Sequence, residues 1–320
     1  MTHTIMETRN SNELFRLTDG GTGGWLQTFK RRLKFRLRYH LSKDDLHRIC
    51  GFFEAHGLSE LTHSELPVIL RSMRPYLWNG LSPIKRTDAL LAHFEWLLTR
   101  HSAQTVLDFY KRGAHAFFTQ TYAEGVISLE VEPARGLGRE GELAMHLKLN
   151  GVSVMRAAFS ILPANMLGIQ ASGFVMVIGN MQGQRALNQE IKTVTQSMER
   201  TRPQNILMTA LQGLAAGWQL AGMVGVSDAG HVYSGYRSLS QRVGQSYDKL
   251  WEELGTLGAV STTHWRLPIQ WVPRSEQEVP SSKRSQLRRK NEIRQKIFDE
   301  VARNSAHLCL SHAADAALTF

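Results

Sequence analysis

The first third of the chain carries apolar residues at helical spacing. Between Trp25 and Ser42, five large apolar residues recur three or four positions apart, at Leu26, Phe29, Leu33, Leu37 and Leu41. This pattern is typical of an amphipathic helix with one apolar stripe. Further helices are predicted over Lys43–His56, Ser64–Met73, Thr87–Thr99 and Ala103–Lys111. The pattern therefore indicates a helical N-terminal region.

From about Phe117 the pattern changes to that of strands. Asn150-Gly151 is a strong hairpin signal, and the turn-rich stretch Pro133–Gly141 predicts a loop. Strands are predicted at Val126–Val131, Leu143–Leu149, Val152–Leu162 and Phe174–Ile178. The last of these is an uninterrupted apolar run, which favours a strand that is buried on both faces.

The remaining chain alternates helical and strand patterns. A break is predicted at Gly179–Gly183, because glycine and asparagine favour turns. Beyond it we expect helices at Ala186–Met198, Gln204–Trp218 and Ser246–Leu254, strands at Met223–Val226 and Thr263–Trp271, and a C-terminal helix. The order predicts an α+β fold, with a helical region over 1–112 and a mixed, largely antiparallel sheet with packed helices over 113–320.

Five segments, taken in order, resemble the VirK/YbjX family of bacterial proteins. They are Ile178–Gly183 (IGNMQG), Arg200–Leu211, Gly225–Tyr233 (GVSDAGHVY), Tyr247–Gly255 and Lys283–Lys290. The resemblance implies a protein of Gram-negative bacteria that is linked to virulence and to tolerance of cationic antimicrobial peptides. It implies no reaction and brings no catalytic residues with it.

The net charge of the chain is concentrated in two segments. The chain has 38 basic and 28 acidic residues, and its calculated pI is near 9.8. Trp25–Ser42 contains six basic residues and no acid, and Ser281–Lys296 contains seven basic residues and one acid. The rest of the chain is slightly acidic, so the charge favours a localised anionic partner over general solubility.

The basic segments leave several anionic partners open. The first can lie on anionic lipid, or it can pack its apolar stripe on the protein and leave its charges in water. A groove for single-stranded nucleic acid would interleave aromatic residues with the cations, which the second segment does not do. The candidate anion-binding residues are Arg31, Arg32, Arg36, Lys283, Arg284, Arg288 and Arg289.

The predicted order of strands and helices is also similar to that of GNAT-type N-acyltransferases. In those enzymes, backbone N–H groups after the central strand bind a pyrophosphate at a helix N-terminus. The corresponding residues here are Asn180, Gln182, Gly183 and Arg185, although the usual glycine-rich signature of that loop is absent. A plain glycine-containing turn between strand and helix is the alternative interpretation.

The segment Ser227–Tyr233 holds the densest set of reactive side chains. It follows a short apolar strand, where functional residues of mixed sheets commonly lie. Asp228 can orient His231 as a general base, Ser227 is a candidate nucleophile, and Tyr233 can protonate a leaving group. The alternative is a structural turn, with a capping Ser or Asp, a hydrogen-bonded histidine and a packed tyrosine.

Together these features predict a GNAT-like acyl- or aminoacyltransferase that acts on an amine. The donor would be an acyl-CoA or an aminoacyl-tRNA bound as a substrate, with no tightly bound cofactor and no metal. A non-enzymatic basic module that binds an anionic membrane surface or RNA is the alternative. Two cysteines without a CxxC pair, and no signal or membrane-spanning pattern, predict a cytoplasmic protein, with peripheral attachment to the inner membrane left open.

Overall fold

Helices build the first third of the chain, as the apolar pattern predicts. The computed structural model describes residues 11, 14–15, 24–64, 66–184, 186–235 and 246–317, with no side chains described at 63–67, 112 and 307–317. The helices of this region are α1 (Trp25–Leu41), α2 (Lys43–Ala55), α3 (Leu61–Ser64), α4 (Leu66–Ile69), α5 (Pro83–Leu98) and α6 (Ala103–Arg112). The helix predicted at Ser64–Met73 is confirmed only in part: the described helical residues are Leu61–Ser64 and Leu66–Ile69, and residues 70–73 form turns.

The two helices that support the sheet, α5 and α6, begin at serine caps. The Ser82 hydroxyl accepts the Lys85 N–H, and Pro83 occupies the first helical position of α5. The Ser102 hydroxyl accepts the Thr105 N–H in the same way. Both caps satisfy a backbone donor that a helix start leaves unpaired. Helix α6 ends at Gly113, whose positive φ of 95° favours glycine.

An eight-stranded mixed sheet follows, which confirms the α+β prediction. Its spatial order is β1-β2-β3-β4-β5-β6-β8-β7. The strands are β1 (His115–Tyr122), β2 (Gly125–Pro133), β3 (Leu143–Leu149), β4 (Val152–Pro163), β5 (Phe174–Gly183), β6 (Gly222–Val226), β7 (Ala259–Ser261) and β8 (His264–Leu267). The first five strands form an antiparallel meander. The predicted turn at Asn150-Gly151 is confirmed, with the two positive φ values of a tight hairpin turn.

Strands β5 and β6 form the parallel pair of the sheet. They are joined by α7 (Asn188–Ser197) and α8 (Pro203–Gly217), and β8 then pairs antiparallel with β6. After β6 come α9 (Tyr247–Glu253) and the long C-terminal helix α10 (Ser281–Ala317). Two neighbouring parallel strands need such a crossover connection, because the chain must return to the same end of the sheet before it can run again in the same direction.

The break predicted at Gly179–Gly183 is wrong, because β5 continues through it. Ile178 pairs with Phe159 and Asn180 pairs with Ala158, so Gly179 is the extra residue of a β-bulge. A Cβ at Gly179 would lie only 2.0 Å from the Glu140 carbonyl oxygen. The glycine therefore serves close backbone approach within a strand, although in the sequence it resembles a turn residue.

One continuous apolar core connects the helical region with the sheet. Phe53 of α2 packs edge-on against Phe94 of α5, and Trp96 of α5 packs against Trp218 after α8. Helix α8 is buried along almost its whole length, between the sheet and α10. The last helix of the N-terminal region ends at Arg112. The apolar core extends across this point, so the division of the chain into two domains at residue 112 remains a prediction.

Candidate functional site

The candidate site lies where the parallel strands β5 and β6 stop pairing. Their register runs from Val175 and Gly222 to Ile178 and Gly225. Beyond the bulge, β5 follows β4 to Gly183, while β6 ends at Val226 and enters a turn. Ligands of open α/β sheets commonly bind at the carboxyl ends of such strands. The loop between β2 and β3 reaches over this point and places Glu140 beside it.

Three buried polar side chains meet at this position: Glu140, Asn180 and His231. They are 4%, 2% and 2% exposed. The Asn180 side-chain amide donates to Glu140 Oε1 at 2.8 Å, and His231 Nε2 lies 3.5 Å from the same oxygen. Within the described residues, His231 Nε2 and Asn180 Oδ1 have no hydrogen-bond partner. Buried polar atoms without partners cost free energy, so they need a functional explanation.

The ring of His231 is held between backbone and aromatic contacts. Its Nδ1 accepts the Tyr233 N–H at 3.4 Å, which assigns the proton of the neutral imidazole to Nε2, facing Glu140. The Tyr247 ring stacks on the imidazole, with centroids 4.9 Å apart and planes 13° apart. His231 Nε2 thus faces the Glu140 carboxylate at 3.5 Å without a hydrogen bond to it, and Nδ1 is the nitrogen that can accept a proton.

The carboxylate beside His231 is that of Glu140, which corrects the predicted pairing with Asp228. Asp228 instead accepts hydrogen bonds from the Ser246 hydroxyl at 2.6 Å and from the Tyr247 N–H. It therefore caps the start of α9 and ties this helix to the turn after β6. Through Tyr247, this cap also positions the ring that stacks on His231.

Ser227, predicted as a candidate nucleophile, has a structural environment. Its hydroxyl donates to the Thr262 carbonyl at 2.8 Å and accepts the Gly230 N–H at 2.9 Å. Both contacts hold the turn that delivers His231, and the contacts of the histidine do not include Ser227 Oγ. A nucleophile needs a base within hydrogen-bond reach, so the geometry favours the structural alternative for Ser227.

Tyr233 lies beside the histidine, and Arg139 lies over Tyr233. The Tyr233 ring is partly exposed, and its centroid lies 5.4 Å from that of His231. The Arg139 guanidinium lies over the Tyr233 ring at 5.7 Å. Arg139 belongs to the same loop as Glu140, so this loop contributes both a cation and the carboxylate. The predicted proton donor Tyr233 is therefore close to the predicted base.

Glu140 was not a sequence candidate, because no local pattern marks it. It lies about ninety positions before His231, in a loop whose glycines indicate only turns. The available signal was Gly179-Asn180, a glycine beside a polar residue directly after a buried apolar strand. That signal predicts close backbone approach but does not say which segment approaches.

The four predicted donor-binding residues have different positions. Asn180 is buried in the cluster described above. Gln182 and Gly183 are paired with Arg156 and Met155 of β4, and Gly183 is exposed at the end of β5. Arg185 lies outside the described residues. Helix α7 begins five residues after Gly183 without a side-chain cap.

The predicted anion-binding residues divide between α1 and α10. In α1, Arg31 bonds to Thr28, while Arg32 and Arg36 lie at exposed positions. In α10, Arg288 pairs with Glu276, Arg289 pairs with Glu199 at 3.0 Å, and Arg284 donates to the Glu276 carbonyl. Lys283 is exposed. The acids that accompany α10 thus neutralise much of the second basic segment.

Two further features bear on function. An apolar cavity of about 350 Å³ lies between α5, α6 and β1, and none of the predicted site residues lines it. In the part of the chain that the structure describes, no three histidine, cysteine, aspartate or glutamate residues are grouped to hold a metal ion. Within the same residues, no helix has the length and apolar composition that a membrane span requires.

Comparison with known proteins relates most of the chain to one family. Residues 24–306 match the family described as "Protein of unknown function (DUF535)". The chain is 24% identical over 298 residues to "Uncharacterized protein YbjX" of Escherichia coli K12, covering 86% of this chain and 84% of that protein. It is 26% identical over 164 residues to an uncharacterized protein of Haemophilus influenzae, covering 48% and 54%. These matches confirm the resemblance to the VirK/YbjX family, and no solved structure matches.

Proposed function

The chain belongs to the DUF535 family of proteins of unknown function, and we propose that it transfers an acyl or aminoacyl group to an amine. The observation that carries this proposal is the buried dyad of His231 and Glu140. The dyad lies where β5 and β6 stop pairing, beside the bulge of β5 at Gly179. β-Bulges are common beside active sites, where they direct a side chain.

Acyl transfer to an amine needs a group that removes a proton from the attacking nitrogen. In the proposed step, the amine nitrogen attacks the acyl carbonyl carbon and His231 Nδ1 takes its proton. The bond from that carbon to the donor's sulfur or oxygen then breaks. Glu140 stabilises the imidazolium that forms, because its carboxylate faces Nε2 at 3.5 Å. Tyr233 protonates the leaving atom, and exchange with solvent then returns the proton held by His231 to the Tyr233 phenolate, which restores both groups.

Asn180 gives the site an acceptor for the amine. Its amide nitrogen is bonded to Glu140, which leaves Oδ1 without a partner among the described residues. An ammonium or amine N–H reaching the site would satisfy this oxygen. Since His231 is only 2% exposed, the substrate enters only when the contacts around the ring open, and the hydrogen bond from Tyr233 N–H to Nδ1 is long, at 3.4 Å.

The proposed donor carries phosphate, as acyl-CoA and aminoacyl-tRNA both do. Gly183 at the end of β5 is exposed, and the uncapped start of α7 follows it closely. Unpaired N–H groups at a helix start favour phosphate. Glu190 in the first turn of α7 opposes this attraction, so the helix start alone does not account for donor binding.

A transfer assay with matched variants tests the proposal. We expect His231→Gln and Glu140→Gln to lower the transfer rate by about a hundredfold or more, as loss of a general base or its partner does. The control is His47→Gln, which replaces an exposed histidine of α2 and should keep the full rate. Melting temperatures of the three variants should show that they remain folded, so that a lower rate reports the lost side chain and not lost structure.

Two results would overturn the reaction. One is the absence of both calorimetric binding and turnover with every acyl-CoA and aminoacyl-tRNA offered with an amine acceptor. The other is full activity of a folded His231→Gln variant, which would remove the base from the mechanism.

A further inference from the structure

Helix α1 directs its apolar stripe away from the protein. Six large apolar side chains on this helix are exposed by more than half of their surface: Trp25 77%, Leu26 55%, Phe29 60%, Leu33 58%, Leu37 60% and Leu41 76%. Such a continuous apolar surface is unusual for a protein that is surrounded only by water. The sequence left open whether this stripe packs on the core, and the structure shows that it does not.

The opposite side of α1 holds the helix on the protein. Thr28, Arg31, Phe35, Tyr39 and Ser42 recur at three- and four-residue spacing and are the less exposed positions of this segment. Tyr39 is buried, and Phe35 packs edge-on against Phe15 with ring centroids 5.6 Å apart. The outward stripe is therefore not the result of a detached helix, because a second face anchors it.

Basic side chains run along both edges of the stripe. Lys30, Lys34 and Arg38 are four residues apart on one edge, and Arg32 and Arg36 are four apart on the other. The helix contains no acid. Within the described residues, the side chains of Lys30, Lys34, Arg36 and Arg38 form no hydrogen bond or ion pair, so these charges are available to an anionic partner.

We propose that α1 docks the protein on an anionic lipid surface, lying parallel to it with the stripe in the acyl boundary. From Leu26 to Leu41 the helix extends about 22 Å, long enough for several headgroups to meet the flanking cations. An apolar face bordered by lysine and arginine is the composition of an interfacial helix. This docking is independent of the proposed transfer reaction and stands without it.

Charge complementarity and the kind of apolar residue select lipid over other partners. Four of the six exposed apolar residues are leucines, which cannot stack on bases. A nucleic-acid surface would leave this apolar area in water, whereas a bilayer boundary buries it. Cations on both edges suit a flat anionic surface, on which both edges are in contact at once.

Flotation of the full chain with vesicles tests the docking. The vesicles contain phosphatidylcholine alone, or equal parts of phosphatidylcholine and phosphatidylglycerol. We expect binding to the anionic vesicles at low salt and its loss at high salt, since screening weakens surface charges. Lys30→Ser with Lys34→Ser should lower partitioning roughly fivefold per lysine, and Leu33→Ser with Leu37→Ser should lower it about tenfold or more.

The matched control removes two lysines from the other basic segment. Lys283→Ser with Lys290→Ser makes the same change of net charge on α10, and it should leave flotation unchanged. Equal binding to neutral and anionic vesicles, or no binding at low salt, overturns the proposal. So does unchanged flotation of the folded Leu33/Leu37 variant. RNA that copurifies with the protein and blocks flotation would assign the cations to nucleic acid and also overturn it.

Discussion

The two basic helices of this protein carry similar charge and have opposite environments. Helix α1 keeps its apolar stripe exposed and its lysines unpaired, whereas α10 packs against α8 and β1. In α10, Arg289 pairs with Glu199, and the half-buried Arg294 donates to the Thr209 hydroxyl at 2.9 Å. The comparison shows that a run of cations in a sequence does not indicate its role. The neighbours that the fold supplies decide whether the charge is neutralised or offered to a partner.

Two glycines of α8 let α10 approach closely. A Cβ at Gly217 would lie 2.0 Å from the Ser305 hydroxyl and 2.4 Å from the Ala302 carbonyl oxygen. At Gly213 a Cβ would lie 2.7 Å from the Phe298 carbonyl oxygen. Helix α1 has no comparable contact at Gly24, where a Cβ would meet nothing within 4 Å.

The largest expected effect on stability comes from a substitution that disrupts the packing of α10. Gly217→Val should lower the free energy of unfolding by about 3 kcal/mol or more, because the added side chain displaces a helix backbone. Gly24→Val is the matched control and should change it little. Chemical denaturation of both variants measures the difference. Equal stability of the two variants would show that α10 is not held by this close contact.

Acidification should weaken the fold and spare the lipid-binding helix. Burial lowers the pKa of His93 from 6.5 to about 3, and burial lowers the pKa of His264 to about 4. Below pH 6.5 the unfolded chain therefore binds protons that the folded chain excludes. Stability falls as the pH decreases, by about 1.4 kcal/mol per pH unit for each histidine. The lysines and arginines of α1 keep their charge throughout this range.

Denaturation at pH 7.5 and 5.5 measures this effect. We expect the free energy of unfolding to be about 2 to 3 kcal/mol lower at pH 5.5 because of the two histidines. The His93→Gln variant should show about half of this difference. Vesicle binding of the wild type should not weaken between the same two pH values. An unchanged slope in His93→Gln would contradict the assignment of the acid sensitivity to His93.

A smaller effect is expected from Arg294 in α10. Its guanidinium also lies over the Trp271 ring at 5.2 Å, and burial lowers its pKa to about 10. Arg294→Ala removes a hydrogen bond and the packing of the aliphatic stem, and it should cost about 1 to 2 kcal/mol. Arg294→Met keeps most of the stem and should cost less. If the two variants lose the same stability, the hydrogen bond outweighs the packing.

The smallest effect on stability is expected from the stripe of α1. Leu33→Ser with Leu37→Ser changes two exposed side chains, so the free energy of unfolding should stay within about 0.5 kcal/mol of the wild type. The same variant should lose lipid binding. A large loss of stability would show that the stripe is buried in solution, which would remove the contrast between the two helices.

The sequence predicted most elements that rest on local pattern. Helices α2, α5 and α6, the meander and the Asn150-Gly151 turn are confirmed, because apolar spacing and turn chemistry act over few residues. The burial of each face could not be predicted in this way. The stripe of α1 satisfies the criteria for a core helix, and only the fold shows that Phe35 and Tyr39 form its packed side.

The candidate site was predicted in part. His231 and Tyr233 are close to each other, as their spacing indicated, and Asn180 joins them from β5. The sequence predicted Asp228 as the acidic partner of His231 and did not indicate Glu140. Both are acids near turns, and a sequence does not show which of two distant segments lies beside the histidine in the fold. A bulge at Gly179 that admits the Glu140 backbone is a contact between distant segments, which no periodicity records.

The packing of α10 on β1 also has a consequence for the order of folding. Lys296 donates to the Gln120 side chain and Asn304 donates to the Phe117 carbonyl oxygen, so one of the last helices covers the first strand. During synthesis the meander emerges from the ribosome long before its cover. The β1 edge of the sheet therefore stays uncovered until the residues after Ser281 have been synthesised. Ribosome-bound chains that stop before this helix should therefore be the species that chaperones and proteases recognise.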